Sequence, residues 1–145
     1  MNLAPNRTPT VLIVDDETPV RQFVRRVLND AGYHTAIAAD GAEALKIAAD
    51  LDALDLLLTD VHMPEMDGSA LAAKIRAANP DVKVLYLTGF TDTLFKEHST
   101  LWEGEAFLDK PCSVKGLLEA VSLILHGRIA PDADTATGLA DSFRG

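Results

Sequence analysis

The sequence predicts an α/β fold in which helices cover both faces of a doubly wound parallel sheet of five strands. Short apolar runs such as TVLIV and DLLLT are typical of strands that are buried on both faces. Each run is followed by a segment with the signals of a helix, and this alternation repeats five times along the chain. Right-handed crossovers turn such a sheet into a doubly wound one, whose functional crevice lies beyond the carboxyl ends of its strands.

The first strand and helix are followed by a second strand. Thr10 to Val14 is a continuous apolar run and is predicted as a strand. Thr18 is predicted as the N-cap of the first helix, with Pro19 at the first helical position. Apolar residues at helical spacing follow, and Gly32 ends the helix. His34 to Ala38 is predicted as the second strand.

The middle of the chain continues the alternation. Asp40 and Glu43 resemble a capping box and predict the start of a second helix. Asp55 to Thr59 is predicted as the third strand, because it is a short run of large apolar residues. Asp67 is predicted to cap a third helix that packs closely at its start, and Pro80 lies just beyond its end.

The last third of the chain supplies two more strands and two more helices. Val82 to Leu87 is predicted as the fourth strand and Ala106 to Asp109 as the fifth. Between them a helix from Asp92 to Ser99 is expected, although its apolar periodicity is poor. Ser113 is predicted to cap a final helix with one apolar stripe, and Gly127 to end it.

The composition is that of one globular domain. The chain has 145 residues, of which 48% are hydrophobic and 24% charged. We expect a domain over residues 10–127, between a flexible lead-in (1–9) and a flexible tail or linker (128–145). No apolar run has the length of a membrane helix, no signal-peptide pattern is present, and Cys112 is the only cysteine. These features predict a cytoplasmic protein without a membrane partner, and its net charge of -9 argues against direct nucleic-acid binding.

Polar side chains follow four of the five predicted strands. Asp15 and Asp16 follow the first, Asp60 the third, Thr88 the fourth and Lys110 the fifth. Taken singly, each has an ordinary explanation as a cap, a turn or a surface residue. Because the carboxyl ends of parallel strands meet at one edge of a sheet, we expect them to converge there. The joint placement therefore predicts a functional site.

The residue types at this edge fit phosphoryl transfer. Converging carboxylates repel one another unless a cation lies among them, and oxygen ligands suit Mg²⁺ or Mn²⁺. Lys110 adds a compact positive charge for an anion, and Thr88 adds a hydroxyl donor. One carboxylate can then act as a nucleophile and form an acyl phosphate. Asp60 is the best candidate, because it stands alone at the end of a central strand.

Four segments, in this order, resemble the receiver domain of two-component response regulators of the chemotaxis type. They are VLIVDDE, LLLTDVHMPEMDG, VLYLTGFTD and AFLDKPCS, and the resemblance extends from residue 10 to about 127. The piece LTGFTD is similar to receivers attached to hybrid sensor histidine kinases. The resemblance implies a flavodoxin-like fold with five helices and strand order 2-1-3-4-5.

The resemblance also implies how a metal ion is held. By this resemblance, Asp60 would be the phospho-acceptor and a ligand of Mg²⁺, or alternatively of Mn²⁺. Asp16 would bind the ion directly and Asp15 partly through water. The backbone carbonyl of His62 would complete the protein ligands.

A switch is implied as well. Thr88 turns toward the phosphoryl group, Lys110 pairs with one of its oxygens, and Phe107 packs inward when Thr88 moves. The phosphoryl group comes from a histidine kinase or a histidine phosphotransfer protein. The domain promotes only its own phosphorylation and dephosphorylation, so it is not expected to be an enzyme for other substrates. No output domain is recognised in the chain, so a downstream protein is expected to bind this domain. The domain itself is expected to be a monomer or a phosphorylation-dependent dimer.

Two other functions remain open at this point. A receiver fold can serve as an interaction module that is never phosphorylated. An aspartate-nucleophile phosphatase is also built around acids at strand ends. Such phosphatases, however, separate the two acids after the first strand by one residue, whereas Asp15 and Asp16 are adjacent.

Overall fold

The computed structural model describes residues 7–89, 104–110 and 112–127. Its strands are β1 (Thr10–Val14), β2 (His34–Ala38), β3 (Leu56–Asp60), β4 (Lys83–Thr88) and β5 (Glu105–Asp109). Its helices in these ranges are α1 (Thr18–Asp30), α2 (Gly41–Asp50), α3 (Gly68–Ala78) and α4 (Val114–His126). The predicted helix from Asp92 to Ser99 and the predicted tail (128–145) lie outside the described residues.

The five strands form one parallel sheet in the order β2-β1-β3-β4-β5, which confirms the predicted doubly wound fold. Val14 of β1 is level with Thr59 of β3, and Asp60 is level with Leu87 of β4. The carboxyl ends of the central strands therefore lie at one edge of the sheet. The carboxyl ends of β1, β3, β4 and β5 lie side by side there, and β2 and β5 are the two edge strands of the sheet.

The sheet is buried on both faces. Leu12 and Val14 belong to the apolar cluster formed with α2 and α3, whereas Val11 and Ile13 belong to the cluster formed with α1 and α4. Neighbouring residues of a strand point to opposite faces, so a strand between two helical layers needs apolar residues at every position. This explains the uninterrupted apolar runs of the sequence. None of the helices in the described ranges is long and apolar enough to cross a membrane.

Three of the predicted helix caps are present. The side chains of Asp40, Asp67 and Ser113 each accept a hydrogen bond from the backbone N–H three residues further on. The last helix ends at Gly127, whose φ of 71° is favourable for glycine and strained for other residues.

The predicted start of the first helix is wrong by one residue. Thr18 already belongs to α1, and the capping position is Glu17, whose carbonyl accepts hydrogen bonds from the N–H groups of Val20 and Arg21. The Thr18 hydroxyl instead accepts from the Arg21 guanidinium at 3.0 Å. The helix begins earlier because Asp15 Oδ1 accepts from the Glu17 N–H at 2.8 Å and turns the chain directly after β1.

The predicted bounds of β3 and β4 are each one residue too early. Asp60 and Thr88 are the last residues of their strands and do not follow them, because Asp60 pairs with Leu87 and Thr88 pairs with Asp109. Asp55 lies before β3. Its buried carboxylate accepts from the N–H of Thr10 at 2.8 Å and from Arg7 Nη1 at 2.9 Å, so Arg7, within the predicted lead-in, contacts the sheet.

Candidate functional site

Three carboxylates and one ammonium group meet at the carboxyl edge of the sheet. One carboxylate oxygen each of Asp15, Asp16 and Asp60 lies within 4.8 Å of the other two. Lys110 Nζ lies 3.0 Å from Asp15 Oδ2 and 3.3 Å from Asp60 Oδ1. The structure therefore brings together the acids and the lysine that the sequence indicated, from the ends of β1, β3 and β5.

Asp15 has an oxygen that is directed into this cluster. Its side chain is completely buried, and its Oδ1 accepts from the Glu17 N–H. Its Oδ2 is also buried and lies beside Lys110, but accepts no hydrogen bond of good geometry from the described residues. Arg21 Nη1 donates to the Asp15 carbonyl at 2.6 Å and holds the backbone of this turn. A buried anionic oxygen with so little hydrogen bonding is stabilised by a cation.

The cluster carries more negative than positive charge. Asp60 is only 6% exposed, and burial together with the charge of Asp15 raises the pKa of Asp60 to about 6, against the opposing effect of Lys110. Burial acts to lower the pKa of Lys110, but its close contact with Asp15 and the charges of Asp15 and Asp60 outweigh burial and raise this pKa. Glu17 Oε1, 3.5 Å from Lys110 Nζ, adds a further, largely exposed, negative charge.

These properties fit a hard divalent cation. Mg²⁺ and Mn²⁺ prefer oxygen ligands, and Asp15, Asp16 and Asp60 offer carboxylate oxygens around one point. Asp16 is exposed, which leaves the cluster accessible from solvent. His62 lies two residues beyond Asp60, and its side chain is exposed.

The start of α3 fixes the backbone of Asp60. Gly68 N–H donates to the Val61 carbonyl at 2.7 Å, and the Thr59 hydroxyl donates to the Asp60 carbonyl at 3.0 Å. A Cβ atom at Gly68 would lie 2.3 Å from the Asp60 carbonyl oxygen, closer than atoms in contact can be. The predicted close packing at this helix start is confirmed. The helix start at Asp67-Gly68 therefore packs directly against the backbone of Asp60 and holds it in place.

Thr88 points to a partner that the sequence did not indicate. Its side chain is completely buried, and its hydroxyl donates to Asp109 Oδ1 at 2.8 Å. Its carbonyl accepts from the Lys110 N–H at 2.7 Å. Asp109 is the residue level with Thr88 on the neighbouring strand. The register between β4 and β5 makes this pair, and the sequence alone does not reveal a register between two strands.

Phe107 lies next to Tyr86 and the ion pair of Glu105 with Arg76, which the sequence did not indicate. It is partly buried, and its ring centroid is 5.9 Å from that of Tyr86, the residue opposite it on β4. The Tyr86 hydroxyl lies 3.4 Å from Glu105 Oε2, and Arg76 Nη2 of α3 donates to the same oxygen at 2.6 Å. The Glu105 side chain is almost fully buried. Phe107 thus packs beside an ion pair that joins β5 to α3.

The chain matches the family model described as response regulator receiver domain over residues 11–122. Among curated proteins, it is 38% identical over 118 residues to the sensor kinase CckA of Brucella abortus, covering 81% of this chain and 12% of the kinase. It is 32% identical to the response regulator receiver protein CpdR of the same organism, covering 79% of this chain and 95% of that protein. The chain therefore spans a small part of the kinase and nearly all of CpdR.

Solved structures that are similar to this chain also belong to receiver proteins. The chemotaxis protein CheY4 of Vibrio cholerae superimposes with a TM-score of 0.74 at 33% identity, over 82% of this chain and 100% of that one. The family match covers β1 to β5 and most of α4, and so includes every strand end that forms the acidic cluster. The chain belongs to the response regulator receiver domain family, whose members serve phosphorelay signalling in two-component systems.

Proposed function

We propose that this domain is a Mg²⁺-dependent phosphoryl acceptor, in which Asp60 receives the phosphoryl group from a histidine kinase or a histidine phosphotransfer protein. The observation that carries the proposal is the convergence of Asp60 with two further carboxylates and Lys110 at the end of a central strand. Asp60 ends β3, which lies between β4 and β1, the strand followed by the other two acids. Its Oδ1 is 3.3 Å from Lys110 Nζ.

The chemistry follows from these residues. An oxygen of the Asp60 carboxylate attacks phosphorus, the phosphorus–nitrogen bond of the phosphohistidine breaks, and the imidazole leaves with the electron pair and takes up a proton. Asp15, Asp16, Asp60 and the backbone carbonyl of His62 would hold Mg²⁺, which neutralises charge on the transferred group when bound. Lys110, already beside Asp60, would pair with a phosphoryl oxygen.

Phosphorylation would then change a protein-binding surface. In this proposal the Thr88 hydroxyl turns toward the phosphoryl group, and Phe107 packs inward behind it. The surface concerned is formed by β4, β5 and α4, with the predicted helix of residues 92–99. The phosphoryl group shifts an existing equilibrium between two arrangements of that surface. A downstream protein in the cytoplasm binds one arrangement, with the domain as a monomer or as a phosphorylation-dependent dimer.

Intact-mass measurement tests the acceptor directly. The protein is incubated with acetyl phosphate, with and without Mg²⁺, beside Asp60→Asn and the control Asp81→Asn, an exposed acid at the opposite edge of the sheet. We expect one added phosphoryl group in the wild type and the control, only with Mg²⁺, and none in Asp60→Asn. No gain in the wild type would reject the proposal.

Two further assays separate the alternative functions. A phosphatase would turn over p-nitrophenyl phosphate, and we expect no turnover above the Asp60→Asn background. An interaction module that is never phosphorylated would bind its partner equally well with and without acetyl phosphate, in the wild type and in Asp60→Asn alike.

A further inference from the structure

We propose that Asp109 is a positioning residue that holds the Thr88 hydroxyl away from Asp60 in the unphosphorylated protein, and so sets how readily the switch occurs. The inference rests on the proposed function, because it concerns the movement of Thr88 toward a phosphoryl group. It adds a residue that the sequence did not indicate. The direct observation is the 2.8 Å hydrogen bond from Thr88 Oγ1 to Asp109 Oδ1.

The difference in burial between the two partners makes this contact a latch, because Thr88 is buried and Asp109 is exposed. Thr88 is completely buried, so an arrangement in which its hydroxyl has no acceptor costs free energy. In the described structure Asp109 Oδ1 is that acceptor, at 2.8 Å. Asp109 itself is exposed, so water solvates its carboxylate after the hydroxyl leaves. Release therefore costs about one hydrogen bond and does not strand a buried charge.

The backbone supports the same conclusion. Asp109 and Thr88 are level with each other across β4 and β5, and the N–H of Lys110, the first residue after β5, donates to the Thr88 carbonyl. Thr88 is thus held at two points by adjacent residues. The second of them, Lys110, extends its side chain to Asp15 and Asp60. A phosphoryl group on Asp60 would attract the Lys110 ammonium and the Thr88 hydroxyl together, against the hold of Asp109.

Removal of the latch should favour the switched arrangement. We expect Asp109→Ala to lower the half-saturating concentration of beryllium fluoride, an analogue of the phosphoryl group, by about fivefold in the presence of Mg²⁺, the effect of one net hydrogen bond. Asp109→Asn keeps an oxygen acceptor at the same place and loses only the charge. Asp109→Asn should change the half-saturating concentration of beryllium fluoride by less than about twofold, because the hydrogen bond to Thr88 remains.

A double-mutant cycle separates a latch from a general effect of charge near the site. The full chain is titrated with beryllium fluoride in wild type, Asp109→Ala, Thr88→Val and the double variant, followed by amide NMR signals of β4 and β5. We expect the Asp109→Ala effect to disappear in the Thr88→Val background, because the hydroxyl it acts on is gone.

Two results would overturn the latch. One is an equal effect of Asp109→Ala with and without the Thr88 hydroxyl; the other is an Asp109→Asn variant that behaves like Asp109→Ala. Failure of the proposed function has a different signature, since the wild type itself would then neither bind beryllium fluoride nor gain mass from acetyl phosphate. Thermal unfolding of each variant checks that it is folded.

Discussion

Replacement of Asp60 by asparagine should stabilise the fold in the absence of metal. The buried carboxylate of Asp60 faces Asp15, and Lys110 compensates the two charges only in part, so that the pKa of Asp60 rises from 3.8 to about 6. An ionised Asp60 is therefore less stable in the folded chain than in the unfolded one. An asparagine side chain at this position would have nearly the same shape without the charge.

The size and sign of this effect follow from the two pKa values. Each pKa unit corresponds to about 1.4 kcal/mol, so the rise from 3.8 to about 6 corresponds to roughly 3 kcal/mol. Between these pH values the folded state binds more protons than the unfolded state, and stability from this group falls as pH rises. The cost is complete above pH 6 and absent below 3.8, where both states are protonated.

Urea unfolding in EDTA at several pH values measures the difference. Asp60→Asn should exceed the wild type by up to about 3 kcal/mol at pH 8, and the gain should shrink toward zero near pH 4. The matched control is Asp16→Asn, which removes one charge of the same cluster from an exposed side chain. Its gain should be clearly smaller, because solvent screens an exposed charge.

Addition of Mg²⁺ should reverse the order. The wild type gains stability in proportion to the logarithm of metal concentration above its dissociation constant, whereas Asp60→Asn has lost a ligand and gains less. An Asp60→Asn variant that is less stable than the wild type at pH 8 in EDTA would refute the reasoning, since it would mean that the Lys110 contact outweighs burial.

Three further changes have defined outcomes. Gly68→Ala adds a Cβ 2.3 Å from the Asp60 carbonyl oxygen, so it should lower the unfolding free energy by about 2 kcal/mol and slow phosphorylation by acetyl phosphate; unchanged values in both assays would show that the loop adjusts freely. Arg7→Ala removes a bidentate partner from the buried Asp55 and should cost about 2 kcal/mol in urea unfolding, with Arg7→Lys in between. Lys110→Ala should leave the Mg²⁺ affinity measured by calorimetry equal or higher, because the ammonium competes with the metal ion for the same carboxylates. The same variant should no longer bind beryllium fluoride, and weaker Mg²⁺ binding would contradict this reasoning.

Local chemistry made most of the fold predictable. Asp67 and Ser113 cap helices through their own side chains, and uninterrupted apolar runs identify strands between two helical layers. The errors arose where distant residues decide. The ends of β3 and β4 depend on pairing with neighbouring strands, and the start of α1 depends on the turn that Asp15 stabilises.

The acids and the lysine of the site were predictable for a different reason. Parallel strands place their carboxyl ends at one edge, so the position of Asp60 or Lys110 in the sequence is enough to locate it. Asp109 was not predictable, because its contact with Thr88 depends on the register of two strands. The ion pair of Arg76 with Glu105 joins residues 29 positions apart, and no local pattern indicates it.

The sharing of Lys110 between two acids connects the metal requirement to the switch. In the structure its ammonium lies 3.0 Å from Asp15 and 3.3 Å from Asp60, and both carboxylates depend on it. In the proposed function, a phosphoryl group on Asp60 adds negative charge and draws the ammonium away from Asp15. The buried Asp15 carboxylate would then need another cation, which Mg²⁺ bound by Asp15, Asp16 and Asp60 would provide. The same movement pulls on the end of β5, where Asp109 holds Thr88. Metal binding and release of Thr88 are therefore expected to favour each other, and Mg²⁺ should bind more tightly when beryllium fluoride is present.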